Sequence, residues 1–173
     1  MGRINTIVRS LLTFSHADSV NEAANDVVDV AERVSEAIRL VRLSPDTRRL
    51  EFKVSMPQDA LVIGDANLLM QVFVNLINNA CDASPDGATV TINGRVENSK
   101  LVVETIDQGP GIDPANREQL FEPFFTTKPV GQGTGLGLSL AYSIVKNHRG
   151  RLRVGDSDEG TKMIVTLPLH NEK

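Results

Sequence analysis

The segment from Asp65 to Ser84 constrains the fold most, because it predicts a long helix with two unlike faces. The apolar face, which can join a protein core, consists of Val72, Phe73, Leu76, Ile77 and Ala80. The opposite face carries side chains that are uncommon on solvated helices, namely Gln71, Asn75, Asn78, Asn79 and Asp82. Each Asn costs about 0.5 kcal/mol of helix propensity relative to Ala. The face is therefore either a solvated surface of odd composition or a row of oxygen ligands for a metal-bound phosphate.

The rest of the chain mixes helices and strands. Apolar spacing predicts helices at 3–17, from a capping box at Ser19 and Glu22 to about residue 44, and at 138–148. Alternating apolar residues predict strands at 50–56, 61–63, 89–96, 101–106, 151–154 and 163–167. Residues 121–136 lack periodicity and predict a long loop. This mixture predicts an α+β fold, a two-layer α/β sandwich in which about three helices cover a mixed sheet of about five strands.

Length and charge limit the function classes. The 173 residues suit one domain, and the net charge of −4 argues against broad nucleic-acid binding. A phosphate ligand is not excluded, since two unit charges about 10 Å apart in water interact by only about 0.4 kcal/mol. The single cysteine, Cys81, predicts no internal disulfide and a reducing compartment. Without a run of about 18 apolar residues or a secretory leader, we expect a cytoplasmic segment that makes no membrane contact.

A second motif, D-Q-G-P-G-I, begins at Asp107, directly after an apolar strand. Asp and Gly are common in simple turns. Alternatively, the carboxylate accepts a hydrogen bond from an exocyclic amine such as that of adenine. The glycines would then let a flat base lie close to the backbone.

Two more motifs lie in the loop before the last helix. The segment F-E-P-F-F-T-T-K, residues 121–128, holds three of the six phenylalanines, which could anchor the loop, hinge a lid or contact a partner helix. Glycines at 131, 133, 135 and 137 then lead into the helix. Free amides at a helix N-terminus favour phosphate. The spacing fits neither a P-loop nor a Rossmann fingerprint, so the run alone is weak evidence.

In this order, the four motifs resemble the N box, first glycine box, F box and second glycine box of two-component sensor histidine kinases. That superfamily also includes gyrase-type, heat-shock chaperone and mismatch-repair ATPases. The stretches are N-L-I-N-N-A-C-D-A, D-Q-G-P-G-I, F-E-P-F-F-T-T-K and G-T-G-L-G-L-S-L-A. The resemblance covers about residues 26–168. It implies an ATP-binding catalytic domain with a long ATP lid at 20–173, preceded at 1–19 by a remnant of the second helix of the dimerisation and phosphoacceptor hairpin.

The same resemblance implies a site for ATP and Mg²⁺. Asn79 matches the Mg²⁺ ligand, Asn75 its partner one turn earlier, and Asp107 the adenine-binding aspartate. Lys128 is placed to offer a cation to the phosphates, and with Asn75 it is expected to be catalytic. The other positions implicated in cofactor binding are Asp82, Gly109, Gly111, Ile112, Gly133, Thr134, Gly135, Leu136, Gly137 and Thr161. The role of Asp82 stays open, since many histidine kinases have Lys or Arg there.

The implied reaction is transfer of the γ-phosphoryl group from ATP to a histidine. The hydrolytic relatives carry a general-base glutamate where this chain has Asn75, and an amide cannot take up a proton at neutral pH. None of His16, His148 and His170 lies in a context resembling H-E-[IL]-x-x-P-L. We therefore expect His148 to cap a helix and His16 to be solvated. The acceptor domain is then expected outside this chain.

The expected partners are that phosphoacceptor histidine domain and a response regulator, in a full-length homodimer whose membrane anchoring is left open. Two alternatives remain at this point. One is a serine/threonine kinase of the same superfamily, and the other is a nucleotide-gated interaction module. A gyrase-type ATPase ranks below both.

Overall fold

The structure, a computed structural model, describes residues 26–47, 49–58, 60–129 and 133–170. The expected helix at 3–17, the capping box at Ser19, the histidine at position 16 and Gly131 lie outside the described residues. The boundary between the hairpin remnant and the catalytic domain, placed at 19/20, lies outside them too. These expectations remain predictions.

Within the described ranges the chain forms seven strands and three α-helices. The strands are β1 (Asp26–Asp29), β2 (Glu51–Ser55), β3 (Leu61–Gly64), β4 (Thr89–Glu97), β5 (Lys100–Ile106), β6 (Arg151–Gly155) and β7 (Lys162–Pro168). The helices are α1 (Val30–Val41), α2 (Ala66–Ala83) and α3 (Gly137–Asn147). Short 3₁₀ turns cover Pro45–Thr47, Pro114–Asn116 and Gln119–Phe121. No helix in this described part is long and apolar enough to cross a membrane.

One layer is a five-stranded sheet in the order β2-β4-β5-β7-β6. β2 pairs with β4 in parallel, and the other neighbours pair antiparallel. The β4–β5 hairpin turns at Asn98 and Ser99, whose φ angles of 50° and 57° suit a tight two-residue turn. The helices form the second layer, and the predicted two-layer α+β sandwich with a mixed sheet is confirmed.

The core lies between the two layers, because side chains on alternate positions of the strands face the helices. The buried residues on this face of the sheet are Val90, Ile92, Leu101, Val103, Leu152, Met163, Val165 and Leu167. Those from the helices include Val34, Ile38, Leu69, Val72, Phe73, Leu76, Ile77, Leu140, Ile144 and Val145. Burying such a side chain contributes about 1.5–3 kcal/mol relative to leaving it exposed.

The helix expected to run from residue 19 is wrong at residues 26–29, which form β1. This strand pairs antiparallel with β3, with Val28 opposite Val62. The Asp29 Oδ1 accepts hydrogen bonds from the amides of Ala31 (2.8 Å) and Glu32 (3.3 Å), so it caps α1 at its N-terminus. The helix therefore begins at Val30.

Helix α2 matches its prediction closely. The Asp65 Oδ1 accepts from the amides of Asn67 (2.8 Å) and Leu68 (3.0 Å) and caps the helix, which ends before Ser84. The expected apolar face is buried against the sheet and α3. The opposite, polar face of α2 lies next to the loop between β5 and α3.

His148 ties α3 to the start of α2. It is the C-cap residue of α3, as predicted, and it is buried. Its Nε2 accepts a hydrogen bond from the Asp65 amide (3.0 Å), so Nδ1 carries the proton that bonds the Ile144 carbonyl (2.8 Å). A Cβ on Gly64 would lie 2.2 Å from the His148 ring, so only glycine leaves room for it. The β3–α2 junction is thus built around this imidazole.

Candidate functional site

A cavity of about 560 Å³ opens between α2, the end of β5 and the loop that leads to α3. Cavities of 300–1,000 Å³ are typical of small-molecule sites. Eleven of the fourteen predicted cofactor-binding residues line it: Asn79, Asp82, Asp107, Gly111, Ile112, Lys128, Gly133, Thr134, Gly135, Gly137 and Thr161. The structure therefore brings together motifs that lie far apart in the sequence.

Asp107 occupies one end of the cavity and is 5% exposed. Its Oδ1 accepts hydrogen bonds from the backbone amides of Gly109 (2.8 Å) and Thr161 (3.0 Å). The Asp107 amide in turn donates to the Thr161 carbonyl (3.0 Å). Because both side-chain bonds fall on Oδ1, the carboxylate is held in one orientation and can offer Oδ2 to a ligand donor.

Two glycines make this arrangement possible. Gly160 has φ +63°, and a Cβ there would lie 2.0 Å from the Asp107 carbonyl oxygen. Gly109 packs against the end of α2, where a Cβ would lie 2.6 Å from the Ala83 carbonyl oxygen. Gly109 is not among the described residues that line the cavity, and its role is to hold the Asp107 carboxylate through its backbone amide.

The opposite end of the cavity is polar and charged. Asn79 and Asp82 face it from α2, together with the exposed Asn78. Lys128 approaches from the loop, and its Nζ forms an ion pair with the Asp82 carboxylate. Lys128 is the one cation among the described lining residues. The structure thus gives Asp82, whose role the sequence left open, a contact with the expected phosphate-binding lysine.

The start of α3 also borders this end. Leu136, at the N-cap position, is 3% exposed and joins the core rather than the cavity wall. It makes no side-chain cap hydrogen bond in this described segment. The N-cap side chain therefore accepts no hydrogen bond from the first amides of α3, a condition that favours an anion there.

A backbone hydrogen bond joins distant parts of the loop before α3. The Phe124 amide donates to the Gly135 carbonyl (2.9 Å). Phe124 is 67% exposed and has φ 68°, a strained conformation for a bulky residue. Phe121, by contrast, stacks on Tyr142 of α3 with ring centroids 5.2 Å apart. The three phenylalanines therefore differ: Phe121 anchors the loop, Phe124 faces solvent, and Phe125 lines the cavity.

Asn75 lies beside the cavity but is not among the described residues that line it. Its Nδ2 donates to the Gly137 carbonyl (3.0 Å), and its Oδ1 accepts from Gln71 Nε2 (2.9 Å). The side chain joins α2 to the N-terminus of α3.

One wall of the cavity, formed by Leu76, Thr105, Leu138 and Met163, was not among the site residues predicted from the sequence. These residues read as ordinary core positions of a helix or strand. The available signal was the period of two, because Thr105 lies two residues before Asp107 and side chains two apart in an extended chain leave the same face.

The donor set fits Mg²⁺ held jointly with a ligand. The described residues contain no group of three or more His, Cys, Asp or Glu that could hold a metal by themselves. Mg²⁺ commonly uses one or two protein oxygens together with waters and substrate phosphates. Asn79, with Asp82 beside it, can supply such an oxygen.

Comparisons with known proteins point to one family. The family model described as "Histidine kinase-, DNA gyrase B-, and HSP90-like ATPase" matches residues 64–171. Sensor-like histidine kinase SenX3 of Mycobacterium tuberculosis is 34% identical over an alignment that covers 96% of this chain and 42% of SenX3. Sporulation kinase A of Bacillus subtilis is 33% identical over an alignment that covers 97% of this chain and 27% of that kinase.

A solved structure of the mycobacterial sensor histidine kinase MprB is also similar. It superposes with a TM-score of 0.78 and 32% identity, and the match covers 86% of this chain and 99% of the solved one. The chain thus spans less than half the length of the two curated relatives, but nearly all of this solved structure.

Proposed function

Because this chain belongs to the histidine kinase-, DNA gyrase B- and HSP90-like ATPase family, as a catalytic domain of the sensor histidine kinase kind, we propose that it binds Mg-ATP and phosphorylates a histidine. Its membership confirms the resemblance drawn from the four motifs. The acceptor histidine would lie on a helical-hairpin domain outside this chain.

The observation that carries the proposal is the buried, fixed carboxylate of Asp107 at the end of a nucleotide-sized cavity. A carboxylate whose Oδ1 is held by two backbone amides can present Oδ2 to the exocyclic amine of adenine. Guanine carries a carbonyl oxygen at the same position and would repel it. The site therefore favours adenine nucleotides.

At the other end, the chain offers groups suited to phosphates. The unpaired amides at the start of α3 would bind phosphate oxygens, and Asn79 would hold the metal. Bound Mg²⁺ would neutralise charge on the phosphates and orient them. Lys128 would have to exchange its Asp82 partner for a phosphate, so Asp82 would keep the lysine in place until the nucleotide arrives.

The contacts of Asn75 support transfer over hydrolysis. Its amide nitrogen donates to the Gly137 carbonyl, so a carboxylate there would place two oxygens against each other. The position is therefore built for an amide and not for a general base. The contacts of Asn75 therefore argue against a gyrase-type ATPase.

The proposed partners follow from the expected location of the acceptor histidine outside this chain. His148 is buried and both of its ring nitrogens are hydrogen-bonded, so it cannot receive a phosphoryl group. A histidine domain would have to dock at the loop that carries Phe124, and a response regulator would then take the phosphate. Dimerisation and any membrane anchor would lie outside the described residues.

The test is incubation of this chain with γ-labelled Mg-ATP and a panel of histidine-containing hairpin domains of two-component kinases. Acid-labile label on a hairpin is the expected result. Acid-stable label would indicate a serine/threonine kinase, and nucleotide binding without transfer to any hairpin would indicate an interaction module. Asn75→Ala changes a side chain beside the cavity, and Asp113→Asn serves as the control away from it.

A further inference from the structure

The hydroxyl of Thr105 is a polar atom that nothing in the described protein satisfies. Thr105 is 2% exposed, and its Oγ1 has no hydrogen-bond partner among residues 26–47, 49–58, 60–129 and 133–170. Buried polar side chains in proteins almost always have a partner, because an unpaired one destabilises the fold. Since Thr105 lines the cavity, a molecule bound there can supply the partner.

The position of Thr105 places it beside the proposed base-binding carboxylate. On β5 it lies between Ile92 of β4 and Met163 of β7. Asp107 follows two residues later, so both side chains leave the same face of the chain. Two residues of strand span about 7 Å, a distance comparable with the width of a purine ring.

We propose that the Thr105 hydroxyl is a second polar contact, besides Asp107, for the purine base of the bound nucleotide. The contact is made directly or through one ordered water. The proposal rests on the proposed function, since it needs the base to lie at this end. A hydroxyl can both donate and accept, so it can pair with a ring nitrogen or with a bridging water. The neighbouring side chains of Leu76 and Met163 are apolar and offer no hydrogen-bond donor to the base.

The test compares Thr105→Val, which keeps the shape and removes the hydroxyl, with Thr105→Ser, which keeps the hydroxyl. Calorimetric titration with Mg-ADP should show about three- to tenfold weaker binding for the valine variant, which corresponds to about 0.7–1.4 kcal/mol. The serine variant should bind within about twofold of the parent. Without nucleotide, the valine variant should resist urea at least as well as the parent, because an unpaired hydroxyl has been replaced by a methyl group.

Other results of these titrations would contradict the proposal in distinguishable ways. If Thr105→Val binds Mg-ADP as tightly as a parent that does bind, this proposal fails and the proposed function stands. If Thr105→Ser loses as much affinity as Thr105→Val, packing and not the hydroxyl is responsible, and the proposal also fails. A parent that binds no Mg-ADP overturns both. A crystal structure of the Mg-ADP complex then separates a direct contact from a water-mediated one.

Discussion

Replacement of Asp107 by Asn tests the base-binding end of the cavity without changing its shape. The amide oxygen of Asn can still accept from the amides of Gly109 and Thr161. Its nitrogen then takes the place of Oδ2 and presents a donor to the donating amine of adenine. Hydrogen bonds to charged groups contribute about 1.5–3 kcal/mol. We therefore expect Mg-ADP to bind about 10- to 150-fold more weakly.

The fold should survive this change, since both backbone bonds are kept. Neutral acceptors bond about half as strongly as charged ones, so stability should fall by about 1–2 kcal/mol at most. The same swap should narrow the preference for ADP over GDP, because the new donor faces the carbonyl oxygen of guanine. Calorimetric titration with both nucleotides measures affinity and selectivity, and urea unfolding measures stability.

A matched control is Asp113→Asn. Asp113 also accepts a backbone amide two residues on, from Ala115, but it is exposed and does not line the cavity. This variant should bind Mg-ADP like the parent. If Asp107→Asn binds within about twofold of the parent, the carboxylate does not contact the base and the orientation of the nucleotide must be different.

Four further predictions concern the rest of the structure. Asn79→Ala should weaken ADP binding about tenfold in the presence of Mg²⁺, whereas Asn78→Ala should weaken it little. If Asn79→Ala loses as much ADP affinity in EDTA as in Mg²⁺, the side chain does not hold the metal. Lys128→Ala should weaken ATP about tenfold and leave AMP unchanged, so a similar loss for AMP would place the lysine away from the outer phosphates. His148→Ala should lower the free energy of unfolding by about 2–4 kcal/mol, and an unchanged urea midpoint would mean that its contacts are dispensable. Burial raises the pKa of the Cys81 thiol from its usual 9.0 to about 11, so iodoacetamide should react slowly with the folded protein at pH 8. The free energy of unfolding should fall between pH 9 and 11, because the thiol ionises first in the unfolded state. Fast labelling at pH 8 would refute the assignment.

The sequence predicted best where local and tertiary forces agree. Helix α2 has its N-cap, Asp65, immediately before an unbroken apolar face, so both signals point to the same start. The hairpin of β4 and β5 was predictable for the same reason, since its turn residues tolerate positive φ. The motif order also placed the cavity wall correctly for most of the proposed cofactor-binding residues.

The sequence predicted less well where a contact between distant residues determines the local structure or the role of a side chain. Val27 and Val28 fit a helical stripe, but pairing with β3 makes them a strand, and no local signal reports that pairing. The ion pair between Lys128 and Asp82 joins residues 46 positions apart, so the sequence placed Asp82 among the cofactor-binding residues but could not give its role. Thr105 looks like any strand threonine until its unpaired hydroxyl is seen beside the cavity.

The parallel pairing of β2 with β4 has a consequence for how the chain folds. The strands β4, β5, β7 and β6 follow one another by antiparallel pairing, and β4 and β5 are joined by a two-residue turn. β2 can join only by a crossover that contains α2. Closing that longer loop costs entropy before any contact compensates it. We therefore expect the hairpin to form early and β2 to join late, so that the cavity wall on α2 is completed in one of the last steps of folding.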